Sequence, residues 1–154
     1  MDLYRRTRSE GFGREVQRRI LSGTFVLSSN AIEDYYHRAV VVREMIKSEF
    51  ASVFEKVDFL LTPTTPSSPF TIKQSKSVSN PVELYLNDVM TIPASLAGLP
   101  SISIPTSMNS DSTAPIALQI IGPYKKEEVV LKAGAALERQ AHFERHIPNH
   151  VYEP

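Results

Sequence analysis

The 154-residue sequence contains no cysteine. Disulfide frameworks and thiolate metal sites are therefore excluded, and four histidines are the side-chain imidazole ligands available. Net charge is absent as well: 17 basic residues balance 17 acidic ones, so no overall field draws the chain to nucleic acid or to an anionic membrane. A membrane helix needs about 20 consecutive apolar residues, and Pro93, Gly98 and Pro100 interrupt the best candidate stretch. The opening "MDLYRRTRSEGFGREVQRRIL" has no apolar signal-peptide core, and its acidic residues make it a poor transit peptide. It reads like the middle of a protein. No G-x-S-x-G elbow presents a serine, and Gly11-Phe12-Gly13 lacks the third glycine and the preceding strand of a phosphate-binding loop.

What is present is a globular composition, 42% apolar and 22% charged, enough for one unit with a core over residues 1–154. Residues 9–21 have a helical pattern opened by Ser9 or Gly13, with Ser22-Gly23 as the stop. Asn30 and Glu33 have the spacing of a capping box, and apolar residues then recur from Ile32 through Tyr36, Ala39, Ile46, Phe50 and Val53 to Val57, predicting one long helix. "VDFLLTP" (57–63) is a buried-strand pattern ending in proline, and 64–80 is rich in Pro, Ser and Thr, hence irregular. Asn80-Pro81 with Glu83 starts a helix that should stop before Pro93. "SISIP" (101–105) and "PIALQIIG" (115–122) are strand-like and flank the polar connector "TSMNSDSTA"; "EEVVLKAGAALERQ" from 127 is a closing amphipathic helix with acids in its first turn. This order predicts an α/β fold, a mixed β-sheet flanked by helices.

Two residues stand out as ligand anchors. On the helix around residue 16, Phe12, Val16 and Ile20 share one face, with Arg14 and Arg18 on the far side. Arg19 lies within about 60° of the apolar centre, where a guanidinium needs a carboxylate partner, from the protein or from a ligand. The plainer reading is a structural ion pair or a snorkelling side chain, and Glu10 and Glu15 stand four before Arg14 and Arg19 as ordinary helix pairs. Asp88 is the lone charge at the head of "LNDVMTIPASLAGLPSISIP", where seventeen uncharged residues follow it. An acid at a helix C-terminus opposes the dipole, and a local rule broken without evident gain marks a candidate site. Such an acid can hold an ammonium or amide group; the plainer reading is an exposed helix end. Arg43, on the apolar stripe of the long helix, is read as structural. His142, His146 and His150 have metal-ligand spacing, but Pro148 breaks the helix they would need, and a polar tail is the better reading.

"RTRSEGFGREVQRRILSGTFVLSS", "VVVREMIKSEF", "VDFLLTPTTP", "LYLNDVMTIPASLAGLPSISIP" and "PIALQIIG" occur in an order that resembles the C-terminal part of amidase-signature enzymes. The resemblance covers nearly the whole chain. "GFGREVQRRILSGTF" with "LAGLPSISIP" points within that family to the A-type subunits of glutamyl-tRNA(Gln) amidotransferases. The resemblance implies hydrolysis of glutamine to ammonia, which a partner subunit uses to convert misacylated Glu-tRNA(Gln) to Gln-tRNA(Gln). It also implies partner subunits of the B and C type, with ATP and Mg at the partner, no cofactor in this chain and no membrane association. By analogy with eukaryotic members it points to a mitochondrial location, otherwise to the cytoplasm. The resemblance implies a nucleophilic serine, activated through a second serine and a lysine, in a glycine-serine-rich stretch; no Gly-Gly-Ser-Ser occurs in this sequence, so the chain alone is expected to be inactive. What carries over is recognition: Arg19 matches the arginine that grips the substrate α-carboxylate, and Asp88 the acid that holds its α-amino group. Ala117 departs from the family, which often has glycine there, and the polar stretch after Phe70 is lengthened. The alternatives are a piece of another amidase-family hydrolase, or a non-catalytic form that binds glutamine or the partner subunits.

A partial amidase sheet leaves an edge and an apolar face uncovered, a recognised aggregation liability. The isolated chain is predicted to be poorly soluble, with self-association visible by light scattering; a monomer melting in one sharp cooperative transition would contradict this.

Overall fold

A computed structural model describes residues 2–70, 85–109 and 114–143. Their contacts divide into two compact units, Met1–Met45 and Ile46–Pro154. In the first unit the expected helix over 9–21 is two helices, α1 (Asp2–Glu10) and α2 (Arg14–Val26). The break falls at Gly11-Phe12-Gly13, where the Gly11 N–H closes α1 on the Thr7 carbonyl at 3.0 Å and Gly13 caps α2 with extended backbone. A Cβ at position 11 would lie 2.8 Å from the Thr7 carbonyl oxygen, so only glycine permits this closure. Ser22-Gly23 does not stop α2. The helix runs three residues further and ends with the Leu27 N–H on the Gly23 carbonyl, since a single interior glycine costs a helix only about 1 kcal/mol.

The long helix is present as a widened turn, Ile32–His37, leading directly into α3 (Arg38–Phe54). The predicted capping box does not form: Ala31 occupies the cap position without a side-chain bond, and Glu33 instead pairs with His37 Nδ1 at 2.8 Å. Phe25 packs edge-on against Tyr35 with ring centroids 5.8 Å apart, joining α2 to the start of this helix within the first unit.

The second unit contains a three-stranded sheet in the order β1 (Leu60–Pro63), β3 (Pro115–Ile121), β2 (Ser101–Met108), with both pairings antiparallel. All three strands form on the predicted stretches, although β2 continues to Met108, three residues into the expected connector, because Ser107 and Met108 still pair with β3; the fold is α/β with helices around a sheet. Residues 64–70 are irregular, as expected, whereas 71–80 lie outside the described residues. Pro63 and Pro105 sit on the outer strands, where a missing N–H leaves the central ladder intact. Residues paired across the ladder point to one side, so the Ser-Ile-Ser-Ile alternation of β2 separates two faces.

One face is apolar. It presents Ile102 and Ile104 to α5 (Glu127–Ala141), which the sequence also predicts, at Gly134. A Cβ there would approach Ile102 Cγ2 to 3.3 Å, so helix and sheet meet at van der Waals distance because position 134 has no side chain. The other face carries Thr62, Ser103 and Gln119 in one register row.

Between the strands the sequence expectation needs correction. The predicted helix from Asn80-Pro81 lies outside the described residues up to position 84, and beyond it the chain forms a short 3-10 turn, Leu86–Asp88. That turn ends at Asp88, ahead of Pro93 as the sequence predicts, but the sequence did not show that Pro93 itself lies in the first turn of a further short helix, α4 (Ile92–Ala97), where its missing N–H has no intrahelical partner to lose. Gly98 ends α4 at φ 70° in the left-handed region, and the Leu99 N–H closes on the Ala94 carbonyl at 3.0 Å.

Substituting Gly134→Val should drive a branched side chain into Ile102 and Ile104 and destabilise the unit by about 1–3 kcal/mol. Ile120→Ala, at a residue 1% exposed, should cost about 2–5 kcal/mol. Thermal unfolding of the complete gene product checks both, with Ile120→Ala expected to lower Tm at least as far as Gly134→Val.

Candidate functional site

β3 is apolar except at Gln119, which is 4% exposed. Burying an amide without partners is costly, and both N–H groups are used. The side-chain nitrogen donates to the Met90 carbonyl at 2.9 Å and to Thr62 Oγ1 at 3.3 Å. The partners fix the orientation, because the flipped amide would set its oxygen against the Met90 carbonyl oxygen. The turn carrying Asp88 is thereby tied to the polar face of the sheet, two residues beyond the acid. A second tie comes from the loop after β1, where Ser67 Oγ donates to Asn87 Oδ1 at 2.8 Å. Thr64 Oγ1 and Ser103 Oγ lie 2.7 Å apart, and the Thr64 N–H donates to the Ala117 carbonyl at 3.1 Å. The small side chain of Ala117 stays in register with Pro105, so alanine is accommodated at this point of the sheet.

Asp88 closes the 3-10 turn with its side chain exposed. Its backbone carbonyl accepts from the Thr91 N–H at 3.1 Å and from Thr91 Oγ1 at 3.2 Å, whereas its carboxylate forms no hydrogen bond or ion pair with a described residue. The site on this unit is thus an uncommitted carboxylate on a turn anchored from below by Gln119 and from the side by Ser67. Chemically it offers acceptor oxygens to an ammonium or amide N–H.

Arg19 belongs to the first unit, on α2. Its Nε donates to Glu15 Oε1 at 2.9 Å, and the other Glu15 oxygen meets Arg18 Nη1 at 2.8 Å. The carboxylate partner that sequence reasoning required is therefore the residue one turn earlier. The desolvation behind that requirement is absent from the described structure, because Arg19 is 65% exposed and its neighbours Val16 and Ile20 are 47% and 43% exposed. Arg43 contacts its neighbour Glu44 at 3.8 Å on the exposed surface of α3. His142 is exposed at the end of α5, His146 and His150 lie outside the described residues, and among the described residues no group of acids and histidines is placed to hold a metal. No described helix is long and apolar enough to cross a membrane. The first unit also has a groove of about 580 Å³ between α1 and α2, lined by Tyr4, Arg5, Arg8, Phe12, Gln17 and Ile20.

Sequence reasoning missed Gln119. The signal was present: an amide between Leu118 and Ile120 in a strand otherwise apolar has to be partnered. It also missed the Ser67–Asn87 tie, which spans 20 residues and has no local pattern.

The Amidase family model matches residues 1–131, and the chain belongs to the amidase family. It is 48% identical over 142 residues to the A-type subunit of glutamyl-tRNA(Gln) amidotransferase from Rhodospirillum rubrum, covering 92% of this chain and 28% of that protein. It is 51% identical over 142 residues to the protein of the same name from Granulibacter bethesdensis, with the same coverages of 92% and 28%. Among solved structures, the A-type subunit of the Thermotoga maritima glutamyl-tRNA(Gln) amidotransferase matches with a TM-score of 0.68 at 38% identity, covering 92% of this chain and 30% of that one. A crystal structure of an amidase matches with a TM-score of 0.68 at 27% identity, covering 85% of this chain and 29% of that one. The chain thus spans less than a third of the length of the curated relatives it matches.

Because Glu15 and its two arginines are solvent-exposed, the pairs should contribute little to stability. Glu15→Gln is expected to change unfolding free energy by less than about 1 kcal/mol, an effect that shrinks further in high salt; denaturant titration at two salt concentrations checks it.

Proposed function

We propose that this chain supplies the glutamine-recognition part of a glutamine-hydrolysing amidase subunit of a glutamyl-tRNA(Gln) amidotransferase, with catalysis carried by residues other than these. The observation that carries the reading is the similarity over 92% of the chain to proteins bearing that subunit's name. Arg19 grips the α-carboxylate of glutamine through its guanidinium, whose planar fork of N–H donors matches a carboxylate. Asp88 accepts from the α-ammonium, a role supported by its exposed carboxylate without a described partner. The ammonia released serves a partner subunit that uses ATP and Mg to amidate Glu-tRNA(Gln), and B- and C-type subunits complete the assembly. A nucleophile is indispensable for the covalent route, and the chain has no Gly-Gly-Ser-Ser stretch to present one.

A second reading, a piece of a hydrolase acting on a different amide, is favoured by the comparable structural match to an amidase of unspecified substrate.

Three ligands separate the two readings when their binding to the complete gene product is measured by calorimetry. They are glutamine, glutaramate, which lacks the α-ammonium, and 4-aminobutanamide, which lacks the α-carboxylate. Arg19→Ala should weaken glutamine and glutaramate by about 10- to 100-fold, the scale of a charge-assisted hydrogen bond, and leave 4-aminobutanamide unchanged. Asp88→Asn should weaken glutamine and 4-aminobutanamide and leave glutaramate unchanged. Indifference of all three ligands to both substitutions would remove glutamine recognition in favour of an uncharged amide.

A further inference from the structure

The structure assigns Gln119 as a positioning residue for amino-group recognition: its buried side-chain amide holds the Asp88 turn against the sheet and so sets where the carboxylate stands. The inference rests on the reading of Asp88 as an ammonium anchor and extends it to a residue that does not touch the ligand.

Asp88 lies on a three-residue turn, and the backbone bonds beside it are local: Val89 N–H to the Leu86 carbonyl at 3.3 Å and Thr91 N–H to the Asp88 carbonyl at 3.1 Å. Local bonds define the shape of a turn but not its place on the sheet. Placement comes from bonds that cross long sequence intervals, and Gln119 makes the deeper of the two described. It reaches 29 residues back to Met90, and the same nitrogen reaches 57 residues back to Thr62 on β1. The sheet row Thr62, Gln119, Ser103 fixes the base of the side chain through ladder bonds on both sides. The amide transmits that fixed position to a backbone carbonyl two residues from the acid. Met90 contributes a main-chain oxygen, so the tie is indifferent to its side chain and depends on the donor at position 119.

A core polar residue kept only for stability would affect every ligand of the site alike. A residue that places Asp88 affects only ligands with an ammonium group. The complete gene product carrying Gln119→Met, which keeps the length and loses the donor, therefore distinguishes the two roles. We expect a rise of about tenfold in the Kd of glutamine, the scale of one misplaced hydrogen bond, a change under about twofold for glutaramate, and faster hydrogen exchange at the Val89 and Thr91 amides. Where Gln119→Met does not accumulate in folded form, Gln119→Leu, which keeps apolar bulk in the strand and removes the donor, reads the same discrimination. Asp88→Asn is measured alongside. If Asp88→Asn separates the two ligands while the position-119 variant weakens both equally, or leaves exchange at Val89 and Thr91 unchanged, the positioning role is overturned and the Asp88 reading survives. If Asp88→Asn fails to separate them, the Asp88 reading falls and the positioning role falls with it.

Discussion

The amide of Gln119 is buried in the middle of the central strand and donates to both an outer strand and the turn beside it. It is the one buried polar side chain among the described residues, and its constraint orders the rest of the second unit. A donor pair in an apolar strand must find acceptors. Thr62 on β1 and the Met90 carbonyl supply them, so β1 cannot slip in register and the segment after Asp88 cannot lift away without stranding the amide. A one-residue slip of β1 would turn Thr62 to the opposite face. The polar bond thus specifies a register that the apolar residues of β1 and β3 would tolerate less strictly.

The two faces of the sheet divide the work. On the apolar face, Ile102 and Ile104 meet α5 at Gly134, where the absence of a side chain allows close approach. That contact needs only shape. On the polar face, Thr62, Thr64, Ser103 and Gln119 supply hydroxyl and amide groups, and the irregular segments 64–70 and 86–91 attach to this face by hydrogen bonds. Segments without a regular ladder need side-chain partners for their backbone, which is why the segment bearing Asp88 lies on the polar side. The Ser-Ile alternation of β2 encodes this division in four residues, Ser101 to Ile104.

Legibility in the sequence follows the range of the signal. Strands and the closing helix are readable because apolar alternation and helical periodicity are local, and β1, β2, β3 and α5 lie where those patterns put them. Punctuation is less reliable. Gly11 breaks the first helix because closure on Thr7 excludes a side chain, while Gly23, with open space around its Cβ position, is carried inside α2. Identical residues give opposite outcomes according to neighbours the sequence does not display. Pro93 reads as the end of one helix and lies at the start of another, since proline is compatible with both. Of the site, Arg19 and Asp88 stand out from a helical projection and from an isolated charge. The bonds that hold the Asp88 turn are not visible, because contacts 20 to 57 residues apart leave no spacing to read.

The two candidate anchors are held in different ways. Arg19 is oriented by a carboxylate one turn away on its own helix, so its geometry is local and exposed, and such a pair is adjustable at small energetic cost. Asp88 is oriented through backbone that is itself fixed by a buried amide on another element, and displacing it would leave both the Met90 carbonyl and the Gln119 donor unsatisfied. A flexible arginine matches an anionic group approaching from several directions, because the guanidinium offers several N–H vectors. A short aspartate side chain has no such reach, and its precision has to come from the backbone beneath it.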